Sequence, residues 1–369
     1  MLIGIFGTPS PFTYWAKHAL CVIADVSLSQ YQYVETSSLS ELRAAVSSRG
    51  DRAVVYFSDC PEAGVADVFL KSGAPFIACF ENPADVLGYC VAARDMQTLD
   101  ATRFTCQSLS ALHDLFLARR VCRLHRAEVF DVEDYTKRVA GVFRMKVDGG
   151  RLDRIIERLA VPATGEKGVE ASLRSLFPHA LDPGEYAAKF EQGADEVFLT
   201  TVRQYAPVGE GLPIRKVRWA PELFFDAHAA NGRVAARQDL IGKSRPLAFG
   251  PYLHLPRGRW TADVSFSVGE NWSGNLLYVD VAVLGDAVAK CELPLPKAGT
   301  YQLGLEFEVF EPRSFLEVRV VMLQGAIEGW FSLHGVDLLR SDLSQARQRE
   351  RVANVTERTL ALARRSGDR

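Results

Sequence analysis

Neither sign of charge dominates this sequence, no apolar run is long enough to cross a membrane, and no two cysteines stand in a CxxC pair. Lys and Arg number 43 against 45 Asp and Glu, a net charge of −2. Such a balance excludes a general attraction to nucleic acid or to an anionic membrane and leaves only local patches. A membrane span needs about 18–20 consecutive apolar residues, and no run approaches that. The apolar start Met1-Leu2-Ile3-Gly4-Ile5-Phe6 is short and lacks a basic flank, so it reads as a first strand and not as a signal peptide. The seven cysteines (Cys21, Cys60, Cys79, Cys90, Cys106, Cys122 and Cys291) have no metal-ligand spacing. An odd, scattered set reads as buried free thiols in a reducing compartment; no metal is expected, and the expected location is the cytoplasm. The signatures GxxxxGKS/T, HExxH and GxSxG are also missing.

What is present describes a globular protein. With 369 residues, 48% hydrophobic and 24% charged, the chain is long enough for two or three domains. Disorder, collagen and coiled coil are excluded for its bulk. Short apolar runs at residues 2–6, 31–35, 53–58 and 76–81, with a weaker one at 121–130, alternate with helix-like stretches at 13–25, 39–48, 61–71, 84–94 and 108–120. Strand–helix–strand alternation predicts parallel strands with crossover helices. The runs Ala53-Val54-Val55-Tyr56-Phe57 and Phe76-Ile77-Ala78-Cys79-Phe80 are continuously apolar, as strands buried on both faces are. A three-layer α/β domain follows. Residues 131–160 continue as helices, with Leu152, Ile155, Ile156 and Leu159 on one face. A Gly-, Pro- and Thr-rich loop at 161–168 and a helical stretch at 183–205 complete this half.

From about residue 248 the period changes to two. Ala262, Val264, Phe266 and Val268 alternate with Thr261, Asp263, Ser265 and Ser267. The same alternation gives the inward sets Leu277, Val279, Val281, Val283; Tyr301, Leu303, Leu305, Phe307, Val309; and Leu316, Val318, Val320, Met322. This is the pattern of antiparallel strands with one buried face, and turn signals between them predict a β-sandwich of jelly-roll type. The predicted organisation is therefore an α/β domain over 1–206, a linker and lead-in segment over 207–247, a sandwich over 248–340 and a C-terminal helix over 341–369. That tail carries seven basic and four acidic residues. It reads as a solvated or self-associating helix, a route to a homo-oligomer or a protein partner.

Open α/β sheets bind ligands at the carboxyl ends of their strands, so the first turn is the place to look. It reads Gly7-Thr8-Pro9-Ser10-Pro11-Phe12-Thr13-Tyr14-Trp15. In order, Gly7, Pro9, Thr13 and Trp15 match the donor-binding loop of sulfotransferases, which the turn resembles. Glu81-Asn82-Pro83-Ala84-Asp85-Val86, after the run 76–80, resembles that family's Arg-Asn-Pro-Arg-Asp-Val strand end, and residues 128–144 resemble a later strand and helix. The resemblance spans about residues 1–160. It implies a sulfotransferase-like fold, a cofactor-binding loop at Gly7, Thr8, Pro9, Ser10 and Thr13, and 3′-phosphoadenylyl sulfate as donor.

The departures from that pattern fall on the charged positions. Ser10 stands where the family has a basic residue, Phe12 where it has a glycine, Glu81 where it has an arginine that meets the 3′-phosphate, and Ala84 where it has a second basic residue. Pro11 removes an N–H from a loop that works by donating N–H groups. Each charge-assisted contact to an anion is worth roughly 1.5–3 kcal/mol. The expectation is a degenerate donor site and no bound cofactor. The same residues also read simply as tight turns, with Asn82-Pro83 opening a helix whose amino end favours Asp85. His18 on the first helix and Glu35 at the end of the second strand are the general acid–base candidates, because the family uses such a base; each also reads as an ordinary surface or core residue.

A second resemblance covers about residues 245–340. Phe249-Gly250-Pro251-Tyr252-Leu253-His254-Leu255-Pro256-Arg257-Gly258-Arg259-Trp260 and the later Phe315-Leu316-Glu317-Val318-Arg319-Val320 are similar to carbohydrate-binding β-sandwiches of bacterial polysaccharide enzymes. Glycan sites stack aromatic rings on sugar faces beside polar groups that fix hydroxyls. Strand parity turns Tyr252, His254, Tyr278, Glu317, Arg319 and Trp330 away from the apolar rows, and Trp272 sits in a loop. These seven are the candidate glycan contacts; alternatively they pack against the other domain, or Glu317 and Arg319 pair with each other. The functional expectation is a catalytically degenerate sulfotransferase-like protein of bacterial polysaccharide biology that binds a glycan. An active glycan-modifying sulfotransferase or other group transferase, and a self-assembling scaffold, are the alternatives.

Overall fold

The computed structural model describes residues 1–160, 165–178, 180–188, 190, 195–228 and 232–341. The C-terminal helix expected over 341–369 falls, from residue 342 onward, outside the described residues. The chain divides into two compact units. The first comprises Met1–Ile214 with Tyr252–Arg257 and Phe310–Glu317; the second comprises Arg215–Pro251, Gly258–Val309 and the chain from Val318 onward.

In the first unit, β1 (Leu2–Gly7), α1 (Pro11–Ser27), β2 (Tyr31–Glu35), α2 (Leu39–Ser48), β3 (Ala53–Ser58), α3 (Ala63–Ser72), β4 (Phe76–Phe80), α4 (Pro83–Arg94), α5 (Thr98–Phe116) and β5 (Cys122–His125) alternate as predicted. The sheet is parallel throughout, in the order β2-β3-β1-β4-β5. Every residue of β3 and β4 is buried, which is why their sequences are continuously apolar. Helices α6 (Val132–Phe143), α7 (Gly149–Leu159) and α8 (Val169–Leu176) follow, then α9 (Glu185–Ala188) and α10 (Glu196–Arg203).

Strand parity separates two cores. Ile3, Ile5, Val55, Ile77 and Leu124 face a cluster built from Phe12, Trp15 and Leu20 of α1, Tyr135 and Val139 of α6, and Ile155 and Leu159 of α7. On the opposite face Phe6 meets Phe69 of α3 and Phe76 edge-on, at ring separations of 4.9 and 5.7 Å. Helix α5 starts ten residues before the expected stretch. Its first turns bury Ala101, Thr102, Thr105 and Cys106, a face too polar to register as a hydrophobic stripe. The Thr102 hydroxyl is satisfied on the Thr98 carbonyl, 2.8 Å away.

The second unit contains β6 (Lys216–Trp219), β7 (Gln238–Asp239), β8 (Arg245–Ala248), β9 (Pro251–Leu253), β10 (Gly258–Gly269), β11 (Leu276–Val283), β12 (Asp286–Pro294), β13 (Gly299–Val309), β14 (Leu316–Met322) and β15 (Trp330–Arg340), with the ends of β9 and β14 belonging to the first unit. They form two antiparallel sheets, β13-β10-β15-β6 with β7 on β15, and β12-β11-β14-β8 with β9 on β14. Trp260, Ala262, Val264, Phe266 and Val268 of β10 and Leu277, Val279 and Val281 of β11 are buried, as their parity requires. In β13 the buried row begins only at Leu305; Tyr301 is 36% exposed. Strand β12 gives no alternating apolar signal because it is largely exposed. It joins β11 through Leu284 and Gly285, both at positive φ, the geometry of a two-residue hairpin turn. Among the described residues no helix is long and apolar enough to cross a membrane.

Candidate functional site

Strand β1 lies between β3 and β4, where the order of connection reverses, so its carboxyl end is the switch point at which doubly wound sheets take ligands. The turn there is tightly held. A Cβ on Gly7 would come within 2.6 Å of Thr13 Oγ1 and 2.7 Å of the Cys79 carbonyl oxygen, so only glycine fits. Thr8 donates its backbone N–H to Cys79 O at 3.2 Å, and its hydroxyl accepts from the Glu81 backbone N–H at 3.2 Å. Ser10 caps α1, its Oγ accepting from the Thr13 N–H at 3.2 Å, and Pro11 takes the first helical position.

The structure thus brings Gly7, Thr8, Pro9, Ser10 and Thr13 together in one buried turn. Several of its donors are consumed or missing. Thr8 and Thr13 spend their N–H groups on Cys79 and Ser10, and Pro9 and Pro11 have none. Phe12 belongs to the core, fully buried and stacked on Trp15.

Glu81 follows β4 and is 3% exposed. Its Oε1 pairs with Nη1 of Arg126, a residue just past β5. The Arg126 guanidinium also grips Glu170 through two bonds of 2.9 Å and donates to Leu181 O at 2.9 Å. Burial pushes the Glu81 carboxyl up from its ordinary range, against the opposing charge of Arg126. Burial works against the Arg126 cation too, but its bonds to Glu170 and the charge of Glu81 outweigh that and raise its pKa. Nearby Asp85, also 3% exposed, accepts the Gly184 N–H at 3.0 Å on both oxygens; burial raises its pKa as well. Three carboxyl groups therefore surround one guanidinium where the resemblance implies a phosphate site.

Beside this cluster the Tyr14 hydroxyl donates to Asp59 Oδ2 at 2.7 Å, and burial, then the Asp59 charge, raise its pKa. Arg126, Glu170, Tyr14 and Asp59 were not singled out by sequence. Arg126 and Asp59 sit directly past the ends of β5 and β3, so strand-end position was the available signal. The two acid–base candidates lie elsewhere. Glu35 is exposed, paired with Lys17 at 3.1 Å, and accepts from the Tyr33 hydroxyl at 2.7 Å. His18 is exposed on α1; burial of part of the ring, then the Arg158 charge, lowers its pKa. Among the described residues neither is bonded to the turn.

The glycan candidates are scattered over both units. Tyr252 and His254 belong to the first. Tyr252, at φ +64°, lies edge-on to Phe315 and under Arg103. His254 is buried, and its carbonyl accepts the Tyr205 hydroxyl at 2.5 Å. Glu317, also of the first unit, is 6% exposed. In the second unit Asp280 holds two of the candidates: Arg319 by bonds of 2.8 and 2.5 Å and the Tyr278 hydroxyl at 2.8 Å. Trp330 covers Gly269, where a Cβ would meet the indole at 2.3 Å, and stacks under Arg237.

Trp272 is different: it is 68% exposed in the loop after β10. Glu328 accepts its backbone N–H at 3.1 Å, Lys297 lies 4.9 Å from its ring centre, and Asn271 ties the loop to the Leu295 and Pro296 carbonyls. An open indole is thereby held on a pinned loop between a carboxylate and an ammonium. All seven cysteines are free thiols, and among the described residues no group of three or more His, Cys, Asp or Glu could hold a metal ion.

No family model matches the chain, and no curated protein matches it by sequence. Solved structures similar to it include a sulfotransferase and carbohydrate-binding modules. A mouse sulfotransferase complexed with PAP is 13% identical, covering 57% of this chain and 86% of its own, with a TM-score of 0.37. A carbohydrate-binding module of a marine laminarinase from Zobellia galactanivorans is 12% identical, covering 34% of this chain and 99% of its own, with a TM-score of 0.22. A further carbohydrate-binding module, in complex with β-1,4-galactotriose, is 14% identical over 34% of this chain and 83% of its own, with a TM-score of 0.21. The likenesses found among solved structures thus include one to a sulfotransferase and, over a third of the chain, several to carbohydrate-binding modules.

Proposed function

We propose that the chain is a sulfotransferase-like protein of glycan biology whose donor loop does not take 3′-phosphoadenylyl sulfate, and which engages a glycan through its antiparallel unit. The observation that carries the first half is the buried Glu81–Arg126 pair, which the partly exposed Glu170 joins. An incoming phosphate would meet three carboxyl groups, counting Asp85, and one guanidinium already committed to Glu81, Glu170 and Leu181. The turn adds fewer donors than a phosphate loop would, since the Thr8 and Thr13 N–H groups are spent and Pro9 and Pro11 have none. Thermal unfolding with adenosine 3′,5′-bisphosphate tests this, because a ligand that binds only the native state must raise the melting temperature. No shift at millimolar nucleotide is expected. A clear rise would overturn the proposal in favour of an active transferase.

For the second half, the support is Trp272. Its indole is open, rigidly based and flanked by polar groups, the combination that sugar rings need. A glycan array is expected to give a specific signal, and Trp272→Ala to weaken it by about tenfold or more. Because the side chain is exposed, the substitution should leave the fold intact. A blank array with the folded protein, or binding untouched by Trp272→Ala, would sink this reading.

A further inference from the structure

A large cleft of the first unit lies at the other end of its sheet. It measures about 1390 Å³ and opens beside Met1, Phe76 and Cys122, the residues that lead into or begin β1, β4 and β5. It is thus at the amino ends of the strands, away from the Gly7 turn. Five cations line it, Arg119, Arg120, Arg144, Lys146 and Arg151, and no carboxylate does. In a chain of net charge −2 that is a concentrated patch.

Part of it has a local cause. Helices α1, α3, α5 and α6 all end at this rim, and each carboxyl end carries about half a negative charge. Four such ends offset about two of the five charges. Arg151 is also occupied, donating to the Lys146 carbonyl at 2.8 Å and lying 3.9 Å from Asp148. Arg119, Arg120, Arg144 and Lys146 have no ion pair among the described residues, and all four are exposed. Much of the remaining wall is apolar, with the aliphatic side chains of Leu28, Leu70, Val121 and Val142 among it.

We infer that this cleft binds an anionic amphiphile, a ligand joining an alkyl or prenyl chain to a phosphate, sulfate or carboxylate head. The uncompensated cations call for a negative head. The aliphatic wall calls for a chain, and the volume exceeds what a compact small molecule needs. A single-stranded nucleic acid fits less well, since it needs aromatic faces to stack on; Phe69, Phe76 and Phe143 of the lining are buried.

Isothermal titration of the full chain with decyl phosphate, decyl maltoside and inorganic phosphate, the detergents below their micelle concentrations, tests the proposal. Decyl phosphate is expected to bind with one-to-one stoichiometry, at least about tenfold more tightly than the neutral detergent or phosphate alone, and more weakly at high salt. Arg120→Glu with Lys146→Glu should abolish that preference while decyl maltoside binding stays unchanged. Should the double variant fail to fold, Arg120→Gln at an exposed position decides, with a smaller loss expected. No binding of decyl phosphate, equal binding of decyl maltoside or of phosphate, or indifference to the substitutions would overturn the proposal.

Discussion

Replacing Arg126 by Met is expected to destabilise the protein by about 3–5 kcal/mol, because removing one partner of a buried ion pair strands the other charge. The side chains of Arg126 and Glu81 are each only 2% exposed. Water cannot replace the guanidinium, so Glu81 must either ionise without a partner or take up a proton. Glu170, at 37%, can turn to solvent. The double variant Arg126→Met with Glu81→Leu should therefore recover most of the loss, as hydrophobic replacement of a whole buried pair often does. Urea denaturation of the three proteins reads this. A loss below about 1 kcal/mol for Arg126→Met, the size of an exposed pair, would show that water reaches the cluster. Nucleotide binding gained by the double variant would further show that Glu81 was the barrier to phosphate.

The second large effect is acid sensitivity at His254. Burial lowers its pKa from 6.5 to about 4, and its side chain lies in the first unit at 5% exposure. As pH falls, the unfolded chain accepts the proton first. The stabilising contribution of the neutral ring is thus complete above pH 6.5 and is lost as pH drops through the interval to about 4. At 1.36 kcal/mol per pKa unit, the full difference is about 3 kcal/mol. Denaturation midpoints at neutral and mildly acid pH should separate His254→Leu from the wild type, the variant losing less stability on acidification. Carboxylates contribute equally to both proteins, so the difference isolates the histidine. Identical acid slopes would show that the ring is hydrated.

Much of this fold could be read from residue order alone, for a physical reason. Buried parallel strands such as β3 and β4 have nothing polar to tolerate, and half-buried strands such as β10 and β11 alternate. What stayed hidden gives neither signal. Strand β12 is held by a Leu284–Gly285 hairpin and by ladder bonds, with side chains largely in water. Strands β6 and β7 are short pieces in a stretch that reads as linker. At the site, Glu81 stood out as a carboxylate where a cation was expected, but its answer, Arg126, is 45 residues away and meets it only after β4 and β5 pair. Ser10 and Phe12 read as departures from a phosphate loop. Their places in the fold are a helix cap and a core residue, roles fixed by where α1 starts.

The first unit has a genetic consequence, since it is not one stretch of chain. Tyr252–Arg257 and Phe310–Glu317 complete it. Arg257 pairs with Asp67 and Asp114, both at 3.1 Å, Arg313 pairs with Glu62 at 3.4 Å, and the His254 carbonyl satisfies Tyr205. A gene fragment stopping at Ile214 would delete all of these, taking from the buried Tyr205 hydroxyl its carbonyl acceptor. The module is therefore not separable by a single cut, and a functional α/β unit has to be inherited, shuffled or expressed together with the coding sequence that follows it, at least through Glu317.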